Sequence, residues 1–515
     1  MSPCPETLAR DVLQRLPALA ALLEAAGARL LTDHVRMLGT SLPSPVQSRH
    51  DLPACLERTP VVLTANHHGL DTLAQSWQST LAFALPGLLD TSAPGPSPVP
   101  VLATGLPSLN NVTFPAGLLC SDFSPHAGET RTIKIPLAPA RLRQTMAAAA
   151  PPVTREDLQR SCRAVREDVR LLPAQRQAAL DFLEDLRSDI GVRPDNRFAD
   201  QAARWNRLLW SRLFVDGLAP PLEFLELETV TARLLQGDLL QPSSLMWGLL
   251  WDEAIRTRLL AALDGCPGCW TMHRLEQCCG LDRPGHDDLA GAGTCFFWAA
   301  DHKGRQTPLR LERTASGWRL SGSSRSGYAC TWPWEPAAVL EGLASRRLLP
   351  SLFTSYAALA LARGVVCVGG VYQSAYLARM AAGTARALGQ TGHPGLAAKV
   401  AAIPGDWFLA GVHLLLVRAG TCLSPAHAVD VLAAGGGEDA GPLGPGDLRA
   451  MGRLTLGEAI LAGLAQTYGE VAPGAERPVG WRDALCAHAV STWAPGLVVR
   501  AMPSGGLAVS SCPCS

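Results

Sequence analysis

Apolar residues along this chain occur in two kinds of run. Short unbroken stretches, Pro60–Leu63, Val99–Ala103, Cys295–Ala300 and Val365–Val368, each stop at a polar or glycine-bearing turn, as buried strands do. Longer stretches place Leu, Val and Ala at helical spacing among charges. The clearest runs from about Thr154 to Leu263, where Thr154 and Asp157 predict a capping-box start. One stretch, Thr59 to Leu85, reads as a complete strand, turn and helix. Its turn crowds Asn66, His67, His68, Gly69 and Asp71 together, with Asp71 placed to cap the helix that follows. The second strand exits into Thr104, Gly105, Ser108, Asn110 and Asn111, as a second loop at the same sheet edge would, with Asn110 and Asn111 expected to be polar anchors for a substrate. A further strand is expected over Thr132–Leu137, and a helix near Leu456–Tyr468.

Six segments follow from these patterns. Residues 1–58 form a helical lead-in and 59–140 the first half of an α/β core; 141–265 are helical and 266–345 a β-rich segment carrying cysteines. Residues 346–435 return to α/β style and 436–515 form a C-terminal extension. The charge runs and Trp205, Trp210, Trp247 and Trp251 in the helical part read as solvated faces and core respectively. There is no internal repeat.

Composition narrows the partners. With 515 residues, 47% of them hydrophobic and 17% charged, the chain is globular. Lys+Arg and Asp+Glu balance at 45 each, so no net field draws it to nucleic acid or an anionic membrane, and a small-molecule partner is expected. No window has the roughly 18 uncharged apolar residues that a membrane span needs. The N-terminal stretch carries Glu6, Asp11 and Glu24 and reads as an amphipathic helix, so a cytoplasmic location is expected. Fifteen cysteines, an odd number, then read as reduced thiols rather than a disulfide framework. The sequence is silent on nucleotide use and oligomeric state.

Four constellations can carry chemistry. In the first, His67 and His68 titrate near neutrality and either can move a proton, with Asp71 as orienter and Asn66 as a substrate contact. Adjacent histidines on extended backbone point different ways, so one of them faces the crevice. The plain alternative is that Asn66 and Asp71 only hold the turn. In the second, Asp301-His302-Lys303-Gly304-Arg305 leaves a buried strand, making His302 a proton carrier and Lys303 or Arg305 an anion clamp, unless it is an ordinary charged hairpin. The third is Cys266-Pro-Gly-Cys269, followed by His273 and Cys278-Cys279. It can supply four tetrahedral ligands to a structural zinc, or it is a set of buried thiols. In the fourth, Gly369-Gly370 ahead of Tyr376 can let a ligand approach the backbone. No GxGxxG, Walker lysine loop, GxSxG elbow or HExxH stands in its expected setting, which argues against nicotinamide enzymes, P-loop ATPases, serine hydrolases and zincins.

Two families share parts of this pattern. Thr64-Ala-Asn-His-His-Gly69, Val99-Pro-Val101 leading to Asn110, Leu349-Pro-Ser-Leu352, Gly369-Gly370 and Ala375-Tyr376 resemble, in order, the blocks of the bacillithiol synthase family of cysteine-adding enzymes. The resemblance covers about a third of the chain and implies a Rossmann-like core with an added helical region, joining the amino group of cysteine to a sugar-malate conjugate. Asn66, His67 and His68 replace that family's glutamines, and Ser108, Asn110 and Asn111 replace its acidic, histidine-containing cluster. Asn66-His67 with Asp71, and Phe114-Pro-Ala-Gly117, resemble instead the NHxxxxD and Phe-Pro-x-Gly motifs of glycerolipid acyltransferases. Here His67 and Asp71 are one residue closer, and Ala116 stands where that motif carries Glu.

The expected protein is therefore an α/β enzyme whose Rossmann-like parallel sheet core carries a helical insertion and a small cysteine-bearing β segment. Its expected role is a biosynthetic ligase- or transferase-like condensation of an amine or thiol with an oxygenated carbon or acyl group. Acyl transfer and a zinc-stabilised binding or scaffold protein are the alternatives.

Overall fold

A computed structural model describes residues 4–40, 61–90, 92, 96–124, 132–192, 195–278, 292–315, 317–323, 327–405, 407–409, 411–434 and 441–503. At its centre is a four-stranded parallel sheet. The strands lie in the order Val366–Val368, Val61–Leu63, Val99–Ala103, Leu222–Glu226. From Val61–Leu63 the chain adds two strands to one side and then returns to place Val366–Val368 on the other. The strand order thus reverses beside Val61–Leu63, and such a reversal opens a crevice at the carboxyl ends of the strands.

Both faces of this sheet are covered, which is why its strands read as unbroken apolar runs. Val61, Leu63, Val99, Val101, Phe224, Val366 and Val368 belong to one buried core, whereas Val62, Leu102 and Cys367 belong to a second. The alternation is the period of two imposed by the pleat. On the first face lie the Ala74–Leu89 helix, the Gly117–Ser121 and Thr132–Pro136 hairpin, the helices from Arg155 to Arg212 and the C-terminal helices. On the second lie the helices Leu227–Asp238 and Glu253–Ala262, the antiparallel strands between Phe297 and Pro333, and the Val371–Gln390 helix.

The stretch from Thr154 to Leu263 is helical for most of its length, and its first helix starts at Thr154 with the capping box its spacing predicts. It also contains the sheet strand Leu222–Glu226, which the helical reading passes over. Leu and Glu are good helix formers, and only pairing with Val99–Ala103 holds LEFLE extended. The helix expected near Leu456–Tyr468 is two helices, Leu456–Ala462 and Leu464–Val471, which meet at Gly463. Strand Val498–Ala501 returns to pair in parallel with Leu415–Ala419.

The Ala74–Leu89 helix has no polar stripe because it is enclosed on nearly every side. Its buried polar groups are satisfied across the core: Gln78 Nε2 donates to the carbonyls of Leu415 and Ala426, and Gln78 Oε1 accepts from the amides of Leu414 and Leu415. Asp71 does not cap this helix. The capping position is Leu73, and the Ala74 amide donates instead to His427 Nδ1 at 3.1 Å. No helix among the described residues is long and apolar enough to cross a membrane.

Candidate active-site cleft at the carboxyl edge of the sheet

Beyond Leu63 and Ala103 the two chains stay paired into their loops. The Thr104 amide donates to the Asn66 carbonyl at 3.0 Å and the His68 amide to the Thr104 carbonyl at 2.6 Å. This extended backbone sends the two imidazoles opposite ways. His68 is buried edge-on against Phe224, 5.4 Å between ring centres, and burial lowers its pKa to about 4, so it stays neutral. His67 turns to the other side. Its Nδ1 lies 3.1 Å from Asn111 Oδ1 and 3.0 Å from Thr113 Oγ1, and burial holds its pKa below the usual histidine value. An amide oxygen can only accept, so Nδ1 carries the proton and Nε2 keeps its lone pair.

Asp71 does not orient either histidine. Asn66 Nδ2 donates to its Oδ2 at 2.7 Å, the Ser76 hydroxyl donates to its Oδ1, and burial raises its pKa to about 6. The turn is locked from outside as well. Asn206 Nδ2 donates to the Gly69 carbonyl at 2.6 Å, and the Leu70 amide to the Pro115 carbonyl at 2.7 Å. Gly69 sits so close to Pro115 that a Cβ there would lie 2.3 Å from the proline Cβ. The FPAG segment is thus packed directly on the NHHGLD turn. Within it Phe114 holds a left-handed φ of 50°, a strained conformation for a side chain of that size.

His67, Thr104 and Asn111 form one wall of a cleft of about 470 Å³. The Cys266-Pro-Gly-Cys269 turn lines the same cleft, together with Thr294, Trp298, Gln306 and Ser351. The Cys269 amide donates back to the Cys266 carbonyl at 3.0 Å, and Gly268 takes a φ of 78°, the geometry of a type II turn with proline and glycine at its centre. The neighbouring thiol of each pair member pushes the Cys266 pKa down and the Cys269 pKa up. The Arg379 charge also favours the Cys266 thiolate, and burial adds to the rise at Cys269.

The remaining candidates are distributed around this cleft. Asn110 is exposed and accepts from the Ser108 hydroxyl at 2.9 Å, outside the cleft wall. In the 301–305 turn, Asp301 Oδ1 accepts from the amides of Lys303 and Arg305, at 2.7 and 2.9 Å, which makes Asp301 the residue that holds the hairpin. That turn docks on the 145–149 loop, where the Met146 amide meets the Gly304 carbonyl at 2.9 Å. His302 and Lys303 point outward, His302 lying beside Tyr328, and Gln306 rather than Arg305 reaches the cleft.

Gly369 leaves room for Gln373 rather than for a ligand, since a Cβ would sit 1.8 Å from Gln373 Oε1. Gly370 caps the Val371–Gln390 helix. Gln373 Oε1 accepts from the Thr64 hydroxyl at 2.7 Å and the Tyr356 hydroxyl at 2.6 Å, and the Tyr376 hydroxyl lies 3.4 Å from that of Tyr356. Burial raises the Tyr376 pKa to about 12. Tyr376 packs under the CPGC turn, its ring 3.7 Å from where a Gly268 Cβ would be. Of the residues expected to hold zinc, Cys266 and Cys269 are adjacent and His273 is exposed on the next helix; the Cys278 side chain and Cys279 lie outside the described residues. No group of three His, Cys, Asp or Glu able to hold a metal occurs among the described residues.

The sequence patterns passed over two acids at the end of the Leu222–Glu226 strand and just beyond it, Glu226 and Glu228. Glu228 is 1% exposed, its Oε1 accepts from Thr104 Oγ1 at 2.7 Å, and its Oε2 accepts from the Gly105 amide at 2.8 Å. Burial, with the Glu226 charge beside it, raises its pKa to about 7. Glu226 is paired with Arg197 at 3.1 Å and with Arg346. Period-two alternation in LEFLE was the available signal.

Fold and site define an α/β protein with a cleft at the carboxyl edge of a parallel sheet. No protein-family model, curated protein or solved structure matches the chain.

Proposed function

We propose that this chain is a small-molecule group-transfer enzyme with a Rossmann-like core, joining an amine or thiol to an oxygenated carbon or acyl group in the cleft at His67. The proposal rests on one observation above the rest. A neutral imidazole, held through Nδ1 by Asn111 and Thr113, lines a cleft at the carboxyl edge of the sheet. His67 Nε2 takes the proton of the attacking N–H or S–H, and the Asn111 amide oxygen steadies the imidazolium that forms. Such a base contributes roughly 10²–10⁴-fold to the rate.

Two observations speak to the substrate. Two residues of the blocks that resemble bacillithiol synthases are linked through one buried chain, Thr64 donating to Gln373, Gln373 accepting also from Tyr356, and Tyr356 lying 3.4 Å from Tyr376, which supports addition of cysteine to a sugar-linked acid. The contact between the NHHGLD turn and the FPAG segment favours acyl transfer as the second reading. The test supplies L-cysteine with a sugar-malate conjugate and, separately, acyl thioesters with alcohols or amines, following products by mass spectrometry. Turnover of one pair that drops about 100-fold in His67→Ala is the expected result. Equal turnover by wild type and His67→Ala, or no product from any pair, would overturn the proposal.

A further inference from the structure

The cysteine turn that lines the cleft with His67 has chemistry of its own that a proton-transfer reading leaves unused. Cys266 and Cys269 close a hydrogen-bonded four-residue turn, which keeps their Cα atoms within about 7 Å. That separation lies in the range a disulfide spans. Cys266 Sγ donates to the Pro267 carbonyl at 3.7 Å within the same turn, and the structure holds both cysteines as free thiols. They are not equivalent. Cys266 is half-buried, whereas Cys269 is buried, 4% exposed. The turn is held firmly: the Cys266 amide donates to the Leu263 carbonyl, the Gly265 amide to the Trp270 carbonyl, and Gly268 is wedged against Leu352 and Met380. An accessible thiol backed by a buried one on a fixed turn is the arrangement that thiol–disulfide exchange requires.

We propose that Cys266 and Cys269 form a reversible dithiol–disulfide centre that exchanges with low-molecular-weight thiols and disulfides entering the cleft. The Cys266 thiolate attacks one sulfur of a small disulfide RSSR; the Cys266–S bond forms, the S–S bond of RSSR breaks, and RS⁻ leaves carrying the proton that Cys266 gave up. Cys269 then attacks Cys266 Sγ. The Cys266–Cys269 bond forms, the Cys266–SR bond breaks, and the second RS⁻ leaves and takes up the Cys269 proton as RSH. Two protein thiols are oxidised by two electrons while one RSSR is reduced to two RSH. A monothiol running the steps backwards restores the dithiol.

This centre is independent of the group-transfer reading, because its test contains no transfer substrate. The reduced full-length protein is equilibrated with mixtures of reduced and oxidised glutathione, quenched by alkylation, and its cysteine peptides are assigned by mass spectrometry. The expected result is a Cys266–Cys269 linkage that appears as the mixture becomes more oxidising and is reversed by excess reduced glutathione. Cys269→Ser should retain one glutathione on Cys266, and Cys266→Ser none on Cys269. Three outcomes overturn the proposal. Both thiols stay reduced at every ratio; or oxidation joins Cys269 to its neighbour Cys295 instead; or one equivalent of zinc copurifies and is lost in Cys266→Ser. The wild-type linkage decides the matter even where a variant fails to fold.

Discussion

Glu228 offers the most direct quantitative test of how the cleft floor is built. Its carboxyl is buried, fastens the Thr104-Gly105 turn through both oxygens, and has its pKa raised from 4.5 to about 7, chiefly by burial. Below pH 4.5 the group is protonated in both folded and unfolded chains, and its contribution is fully present. Between pH 4.5 and 7 the unfolded chain releases the proton and the folded one keeps it, so stability falls as pH rises. Above pH 7 the loss is complete. At about 1.4 kcal/mol per pH unit, the loss amounts to about 3 kcal/mol. Glu228→Gln imitates the protonated acid, since its amide can donate to Thr104 Oγ1 while its oxygen accepts from the Gly105 amide, and it cannot ionise. Urea unfolding of wild type and variant from pH 4.5 to 8 should therefore show the variant gaining about 3 kcal/mol on the wild type across that window. A difference that stays flat with pH, or grows towards acid, would refute the assignment of a protonated Glu228.

Other perturbations address the walls. Gly69→Ala forces a methyl against Pro115, at 2.3 Å from its Cβ and 2.5 Å from its carbonyl oxygen, and should lower stability by about 1–3 kcal/mol in thermal unfolding; an unchanged midpoint would show that the two segments part easily. Gln373→Ala strands the Thr64 hydroxyl and the Cys367 carbonyl in the interior and leaves the Tyr356 hydroxyl only its 3.4 Å contact with Tyr376. It should cost about 2–4 kcal/mol by denaturant titration, and a loss below about 0.5 kcal/mol would contradict the network. Asn111→Asp places a carboxylate on His67 Nδ1 and should raise the imidazole pKa, moving the acid limb of the turnover profile to higher pH. A limb that does not move would separate Asn111 from the titrating group.

Much of the scaffold is legible in the chain itself. Val61–Leu63, Val99–Ala103 and Val366–Val368 stand out because a strand covered on both faces must be apolar throughout, and no other constraint writes that pattern so compactly. The capping box at Thr154 and the CPGC turn are equally local, since proline, glycine and short polar side chains dictate backbone angles wherever they occur. Leu222–Glu226 is not local: its letters suit a helix, and only a neighbouring strand makes it extended. The roles of the polar residues are less local still. Asp71 is close enough in sequence to serve His67, yet it is taken up by Asn66 and Ser76, while Asn111, from the loop of a different strand, holds the imidazole. The reversal of strand order beside Val61–Leu63 and the folding of the cysteine-bearing segment over the sheet edge bring His67 and Cys266 to the same cleft. Residue types set backbone preference and chemical capacity, whereas partnership depends on distances that only long-range packing establishes.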